Sequence, residues 1–186
     1  MQIFIMRHGE AANVAGKDSL RPLTKQGLFE AEKMGIWLAQ TKLSFTNVFV
    51  SPYLRAQQTC AKVINTFTKA TLCDDACFEK LMLETLTPET LDFITPSGNA
   101  RQAHDFLDGL FQKYDAILNG KDDCTDEEQA ILLVSHMPFV SYLVAELTGS
   151  LHTPMFSTGA IVVIDYDIKQ MQGRLIELVS PARLKT

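Results

Sequence analysis

Ile3, Phe4, Ile5 and Met6 form a short apolar run that stops abruptly at Arg7, His8, Gly9 and Glu10. A run of this length, bounded by polar residues and glycine, reads as a strand buried on both faces. The shape recurs twice: Val48 to Val50 stops at Ser51-Pro52, and Ala130 to Val134 stops at Ser135-His136. Helical periodicity fills much of the chain between the three runs. The strands should therefore be parallel, with their carboxyl ends along one edge of a sheet, where open α/β sheets bind ligands. His8, Ser51 and His136 are expected together on that rim.

The connecting segments agree. Ala11 to Pro22 is polar and irregular, well placed to form one wall of a site at the rim. Thr24 is a good N-cap for a helix whose inner face carries Leu28, Ala31, Gly35 and Leu38, with Glu30, Lys33 and Gln40 elsewhere. Gly27 and Gly35 each cost about 1 kcal/mol of helix propensity, which predicts a close approach of this helix to the sheet. Trp37 reads as packing. Ser51 and Pro52 predict the N-cap and first position of a second helix, with Thr59, Val63 and Phe67 inward and Arg55 in its first turn. A cation at a helix N-terminus, which already carries roughly half a positive charge, suits an anion site better than it suits the helix.

Residues 66 to 98 carry little pattern, because Pro88, Pro96 and Gly98 interrupt it; Leu81 to Leu86 reads as a short strand or a loop near the site. From Asn99 to Asn119 an amphipathic helix is predicted, with Ala103, Phe106, Leu107, Leu110, Phe111, Tyr114, Ile117 and Leu118 on its apolar face and Gly120 closing it. His104 reads as a surface residue, and Asp122 to Glu128 as a solvated acidic loop. Pro138 opens a last helix through Val140, Leu143, Val144 and Leu147, with Gly149 beyond it. Ile161 to Asp165 and Leu175 to Val179 predict a hairpin that extends the sheet.

Length and composition exclude several classes. The 186 residues suit a single domain, and 46% hydrophobic with 21% charged residues allow a substantial core. The first apolar run is too short for a signal peptide or a membrane span, which predicts a cytoplasmic protein without membrane attachment. A net charge of −5 gives no basic stripe for nucleic acid. Cys60, Cys73, Cys77 and Cys124 show no CxxC spacing and are read as free thiols, and Cys73 and Cys77 with His104 do not make a convincing zinc set. Any anion site must be a local concentration of positive charge in an acidic chain.

Arg7, His8, Arg55 and His136 provide that concentration, and their chemistry fits a phosphoryl group. Each guanidinium fork can hold two phosphate oxygens, and a neutral imidazole is a nucleophile for phosphorus. Unit charges about 4 Å apart interact by roughly 4 kcal/mol at an effective dielectric near 20. One pKa unit corresponds to only about 1.4 kcal/mol. Two arginines should therefore hold a neighbouring histidine neutral at pH 7.

Met6-Arg7-His8-Gly9-Glu10, Arg21-Pro22-Leu23-Thr24 with Gly27, Ser51-Pro52 with Arg55-Ala56 and Gln58-Thr59, and Ser135-His136 together resemble the histidine phosphatase superfamily, also called phosphoglycerate mutase-like. The resemblance covers most of the chain outside residues 66 to 129. It implies a single-domain α/β fold, a three-layer αβα sandwich with a mostly parallel central sheet and a C-terminal hairpin. The short length and the Arg21 context are most similar to the bacterial phosphohistidine phosphatases of two-component signalling, which act on histidine-containing phosphotransfer domains. The resemblance further implies that His8 becomes a phosphohistidine while Arg7, Arg55 and His136 cradle the phosphoryl oxygens. It implies neither cofactor nor metal, since arginines supply the charge that Mg²⁺ supplies elsewhere.

Two positions depart from the family pattern. Mutase-like members carry a phosphate-binding Asn shortly after the Arg-His-Gly motif; Asn13 stands one residue early, and Arg21 is a further candidate for binding phosphate. They also carry an acidic proton donor. Met137 follows His136, so an Asp there is absent, and Glu84 is a positional candidate for the Glu version. Two other readings compete: a phosphatase of small phosphate monoesters, and a phosphate-binding interaction domain without turnover.

Overall fold

The computed structural model describes residues 1–71, 86–118 and 129–184. Six strands form one sheet: β1 (Gln2–Arg7), β2 (Ser44–Val50), β3 (Glu89–Thr90), β4 (Gln129–Ser135), β5 (Ile161–Asp167) and β6 (Gln172–Val179), in the spatial order β3-β2-β4-β1-β5-β6. The first four strands of that order pair in parallel. β5 runs antiparallel to β1, and β6 antiparallel to β5. Four α-helices accompany them among the described residues: α1 (Lys25–Gln40), α2 (Leu54–Thr71), α3 (Ala100–Leu118) and α4 (Phe139–Thr148).

Alternation along β1 explains the layers. Phe4 and Met6 face a core built with Ala31, Met34 and Leu38 of α1 and Val63 and Phe67 of α2. Ile3 and Ile5 face the other side, against Leu107 and Phe111 of α3 and Phe139, Leu143 and Leu147 of α4. Burying each such side chain contributes about 1.5–3 kcal/mol, so a strand apolar on both faces is held only if helices cover both. The fold is accordingly the three-layer α/β sandwich that the sequence predicts, with the mostly parallel sheet and the C-terminal hairpin. The hairpin strands are longer than the sequence suggests, because pairing continues from Ile161↔Val179 out to Asp167↔Gln172.

Several local expectations change. Thr24 does cap α1, its hydroxyl accepting from Gly27 N at 3.0 Å. The buried face of α1 is Gly27, Glu30, Ala31, Met34, Gly35 and Leu38, however, and Leu28 is exposed. The two glycines allow close approach, though not to the sheet. A Cβ on Gly35 would lie 2.8 Å from the Val63 carbonyl oxygen of α2, and one on Gly27 would lie 2.1 Å from the Glu10 carbonyl oxygen. α2 begins at Leu54, two residues later than predicted: the Ser51 hydroxyl does accept from Tyr53 N at 3.4 Å, but the first carbonyl that the helix uses is that of Tyr53, which accepts from Ala56 N and Gln57 N. Asn99 Oδ1 accepts from the backbone N–H groups of Arg101 and Gln102 and so starts α3. His104 is not a surface residue: its Nε2 lies 2.7 Å from the Tyr166 hydroxyl, which in turn donates to Asp108, tying α3 to β5. Gly149 ends α4 in the left-handed conformation at φ 62°. Glu84, most of the 81–86 stretch, Cys73, Cys77, Cys124, Gly120 and the acidic loop fall outside the described residues; Leu86 is buried.

Gly27→Ala tests the approach of α1 to the loop after His8. Helix propensity alone would make alanine more stable by about 1 kcal/mol. The Cβ would instead meet backbone, which cannot rotate away, and overpacking of this kind costs about 1–3 kcal/mol. The urea midpoint should fall for Gly27→Ala while the exposed control Leu28→Ala stays near wild type. A midpoint at or above wild type would show that the loop gives way freely.

Candidate active site

The sheet register brings the predicted residues together. Arg7 ends β1 directly opposite Ser135 of β4, and His8 N donates to the Ser135 carbonyl at 2.9 Å. Ser51 N donates to the Val134 carbonyl at 3.1 Å, so the ends of β2, β4 and β1 lie side by side. The rings of His8 and His136 are 5.0 Å apart between centroids. Arg55, on the first turn of α2, reaches back over the rim and donates from Nε to His8 Nε2 at 3.2 Å. The loop after His8 is fixed from α2 as well: Gly9 N donates to Thr59 Oγ1 at 3.1 Å, and that hydroxyl donates to the Arg55 carbonyl at 2.7 Å.

These contacts define the state of His8. Its Nδ1 lies 2.7 Å from the Gly9 carbonyl, which can only accept, so Nδ1 carries the proton. Nε2 then presents a lone pair, and Arg55 Nε–H donates to it. His8 is 8% exposed, and its pKa is pushed down to about 4. Burial is the largest cause, with the charges of Arg55, Arg7 and Arg21 adding to it and the Gly9 carbonyl opposing. Neutrality at pH 7 was expected from the arginines alone; desolvation of the imidazolium comes first. Burial likewise pushes His136 down to about 3, with His8 and Arg55 adding to the effect. His136 Nε2 lies 2.7 Å from Ser51 Oγ, which also accepts from Tyr53 N at 3.4 Å.

The arginines are held by backbone and by one carboxylate. Arg7 Nη1 donates to the Phe156 carbonyl at 2.6 Å; its Nε, like His136 Nδ1, is buried with no hydrogen-bond partner among the described residues. A phosphoryl oxygen would give Arg7 Nε an acceptor, and a buried donor left without one costs about 1–3 kcal/mol. Arg55, only 4% exposed, donates from Nη1 to the Asp18 carbonyl at 2.6 Å and from Nη2 to the Asp18 carboxylate at 2.9 Å. The Tyr53 ring lies under its guanidinium at 4.9 Å. Arg21 takes the other Asp18 oxygen at 3.0 Å and donates to the Ala12 carbonyl at 2.9 Å. Hydrogen bonds from both arginines hold the Asp18 carboxyl below its ordinary pKa.

Of the predicted residues, Arg7, His8, Arg55 and His136 therefore form one cluster, and Arg21 borders it. Asn13 is exposed on the 11–22 loop and takes no part in the hydrogen bonds that join the cluster. Glu84 lies outside the described residues. Sequence reading missed Asp18 and Glu30. Glu30, expected away from the inner face, is buried: its carboxylate accepts from Glu10 N at 2.9 Å and from the Thr158 hydroxyl at 2.9 Å. Only the polarity of the 11–22 loop signalled Asp18, and no pattern signalled Glu30. Among the described residues no group of three His, Cys, Asp or Glu side chains could hold a metal ion.

The two depressed histidines make stability pH-dependent. Each has a native pKa below the unfolded value of about 6.5, so between pH 6.5 and about 4 the unfolded chain binds protons that the native protein does not. Their contribution is complete above pH 6.5 and is lost as pH falls, at no more than about 1.4 kcal/mol per pH unit for each histidine. Urea midpoints should fall from pH 7 to pH 5 more steeply for wild type than for His8→Asn. Equal slopes would place the native pKa of His8 near 6.5.

Comparison with known proteins agrees with this geometry. The family model described as histidine phosphatase superfamily (branch 1) matches residues 3–79. Phosphohistidine phosphatase SixA of Escherichia coli strain K12 is 36% identical over 186 residues, covering 100% of this chain and 97% of that protein. The SixA homolog of Haemophilus influenzae is 35% identical over 172 residues, covering 90% and 89%. The solved structure of the protein histidine phosphatase SixA complexed with tungstate has a TM-score of 0.76 at 35% identity and covers 100% of both chains. A phosphoglycerate mutase from Bacillus anthracis, 13% identical with a TM-score of 0.61 over 98% of this chain and 94% of that one, shares the fold.

Proposed function

This chain belongs to the histidine phosphatase superfamily, and from that premise we propose that it is a protein phosphohistidine phosphatase acting through a phosphohistidine intermediate on His8. The observation that carries the reading is the state of His8: a neutral ring, proton on Nδ1, with its Nε2 lone pair beside a guanidinium. In the first step that lone pair forms a bond to phosphorus while the P–N bond of the substrate breaks. The departing electron pair returns to the substrate imidazole. In the second step a water oxygen bonds to phosphorus, the P–Nε2 bond breaks, the pair returns to His8, and one proton of the water stays on the departing phosphate while the other passes to bulk solvent. Arg7, Arg55 and His136 hold the equatorial oxygens in both steps, and Arg21 adds positive charge from the border. Neither step requires a metal ion.

The substrate proposed is a histidine-containing phosphotransfer domain. Relatives named phosphohistidine phosphatase support it, and so does leaving-group chemistry. An alkoxide needs a general acid to leave, whereas an imidazole, with a free pKa of about 6.5, is protonated on its ring without help. No described helix is long and apolar enough to cross a membrane. The setting proposed is the cytoplasm, which suits Cys60, a buried free thiol.

A side-by-side kinetic comparison tests the reading. kcat/KM for a phosphorylated phosphotransfer domain should exceed that for phosphoserine, phosphoglycerates or sugar phosphates by two orders of magnitude or more, roughly the discrimination expected where one leaving group lacks its proton donor. Efficient turnover of a monoester, lost in Glu84→Gln, would hand the protein to the small-molecule class. Phosphate binding with no release from any substrate would make it a binding domain.

A further inference from the structure

We propose that the 11–22 loop and the 150–157 segment form a docking surface for the folded protein that carries the phosphohistidine, with Leu20 and Met155 as its principal apolar contacts. The inference rests on the phosphohistidine-phosphatase reading and adds to it where the partner's own surface is gripped.

Both side chains stand in water on backbone that is tied down at the site. Leu20 is 63% exposed, yet its turn is anchored on either side: the Asp18 carbonyl and carboxylate accept from Arg55, and the Arg21 side chain bonds Asp18 and the Ala12 carbonyl. Ala12 N closes the loop on the Pro22 carbonyl at 2.8 Å. Met155 is 77% exposed, yet the carbonyl before it, of Pro154, accepts from Ser141 on α4, and the carbonyl after it, of Phe156, accepts from Arg7 at 2.6 Å. The segments that fix the two phosphate-binding arginines thus each hold a large apolar side chain out in solvent. Val14 and Leu151, on the same two segments, are also exposed. An exposed apolar group on preorganised backbone loses little freedom when it is covered, which is the condition for a strong contact.

The position of His8 says what covers them. The ring is recessed at the sheet edge, so a phosphorus atom borne by a folded protein reaches Nε2 at the tip of a side chain inserted from outside. A phosphorylated imidazole is one ring and one P–N bond longer than its Cβ. The partner's backbone and neighbouring side chains must therefore stop at the mouth, against the segments that border it. Arg7, Arg55 and Arg21 receive the negative phosphoryl group, and the flanking surface of the partner meets Leu20 and Met155. An apolar patch around the phosphohistidine is the complementary chemistry.

The test uses Leu20→Asn, Met155→Asn and the double variant, assayed on an isolated histidine-phosphorylated phosphotransfer domain and on the free amino acid phosphohistidine. Met171→Asn, the same exposed chemistry at the β5–β6 turn away from the rim, is the control. kcat/KM for the domain should fall by roughly tenfold or more in each variant, and further in the double, through KM. Values for free phosphohistidine and for Met171→Asn should stay within about twofold of wild type. Parallel losses on both substrates would make the two residues part of the pocket and overturn the proposal. Unchanged turnover of the domain would do the same while leaving the phosphatase reading intact. Wild type inactive on both substrates would remove that reading and the docking surface with it.

Discussion

His8→Ala should abolish turnover, and wild-type protein quenched during the reaction should carry phosphate on Nε2 of His8, stable in base and labile in acid. The ring proton is on Nδ1, held there by the Gly9 carbonyl, so Nε2 is the nitrogen with an available electron pair. Burial and three arginines keep the pair free of a proton until about pH 4. At pH 7 nearly every molecule is therefore in the nucleophilic form, where an ordinary histidine near pKa 6.5 would be part protonated. His136, 5.0 Å away ring to ring, has its Nε2 against Ser51 Oγ. The expected result is loss of every measurable turnover, with the urea midpoint close to wild type at pH 7. Mass spectrometry of acid- and base-treated digests locates the phosphate; finding it on His136 or on a serine would remove His8 as nucleophile.

Arg55→Ala should lower kcat by roughly two to three orders of magnitude, the range found when one preorganised donor to transition-state charge is removed. Three contributions are lost together: the Nε–H beside His8 Nε2, a buried positive charge, and the link to Asp18 that holds the 11–22 loop against the site. Arg55→Lys should recover only part of the rate, because a single ammonium cannot bond His8 Nε2 and both Asp18 oxygens at once. The pH profile separates electrostatics from packing. Arg55 is one of the charges that depress His8, so its removal lets the His8 pKa rise, and the acidic limb of the rate moves upward from about pH 4. A rate within a few-fold of wild type, or an unmoved limb, would refute the role. Circular dichroism on Arg55→Lys, whose side chain still fills the site, guards against an unfolded variant.

The sequence determined five of the six strands and the identity of the cluster; β3 (Glu89–Thr90) lies where Pro88 and Pro96 break any pattern, and sequence reading missed it. Apolar runs long enough for a strand and ended by Arg-His, Ser-Pro and Ser-His left little choice about where strands stop. Parallel neighbours in register then put those stops side by side, as the pairing of Arg7 with Ser135 shows. Periodicity is a property of consecutive residues, so α1, α3 and α4 were legible as well. What it could not reveal is which polar groups meet across the chain. Asp18 and Arg55 are 37 residues apart and Thr158 and Glu30 are 128 apart, and no local pattern encodes either pair. Glu30 is buried because the Glu10 N–H and the Thr158 hydroxyl need an acceptor where two loops converge, a demand that exists only after folding. Ser51 keeps a local bond of the capping kind, from Tyr53 N, but its link to His136 spans 85 residues and no local pattern encodes it. The sequence alone thus set which side chains arrive at the rim. The tertiary structure alone decided the His8 tautomer, the burial that is the largest cause of its neutrality, and the restraint of the cluster, because burial and long-range hydrogen bonds exist only in the folded chain.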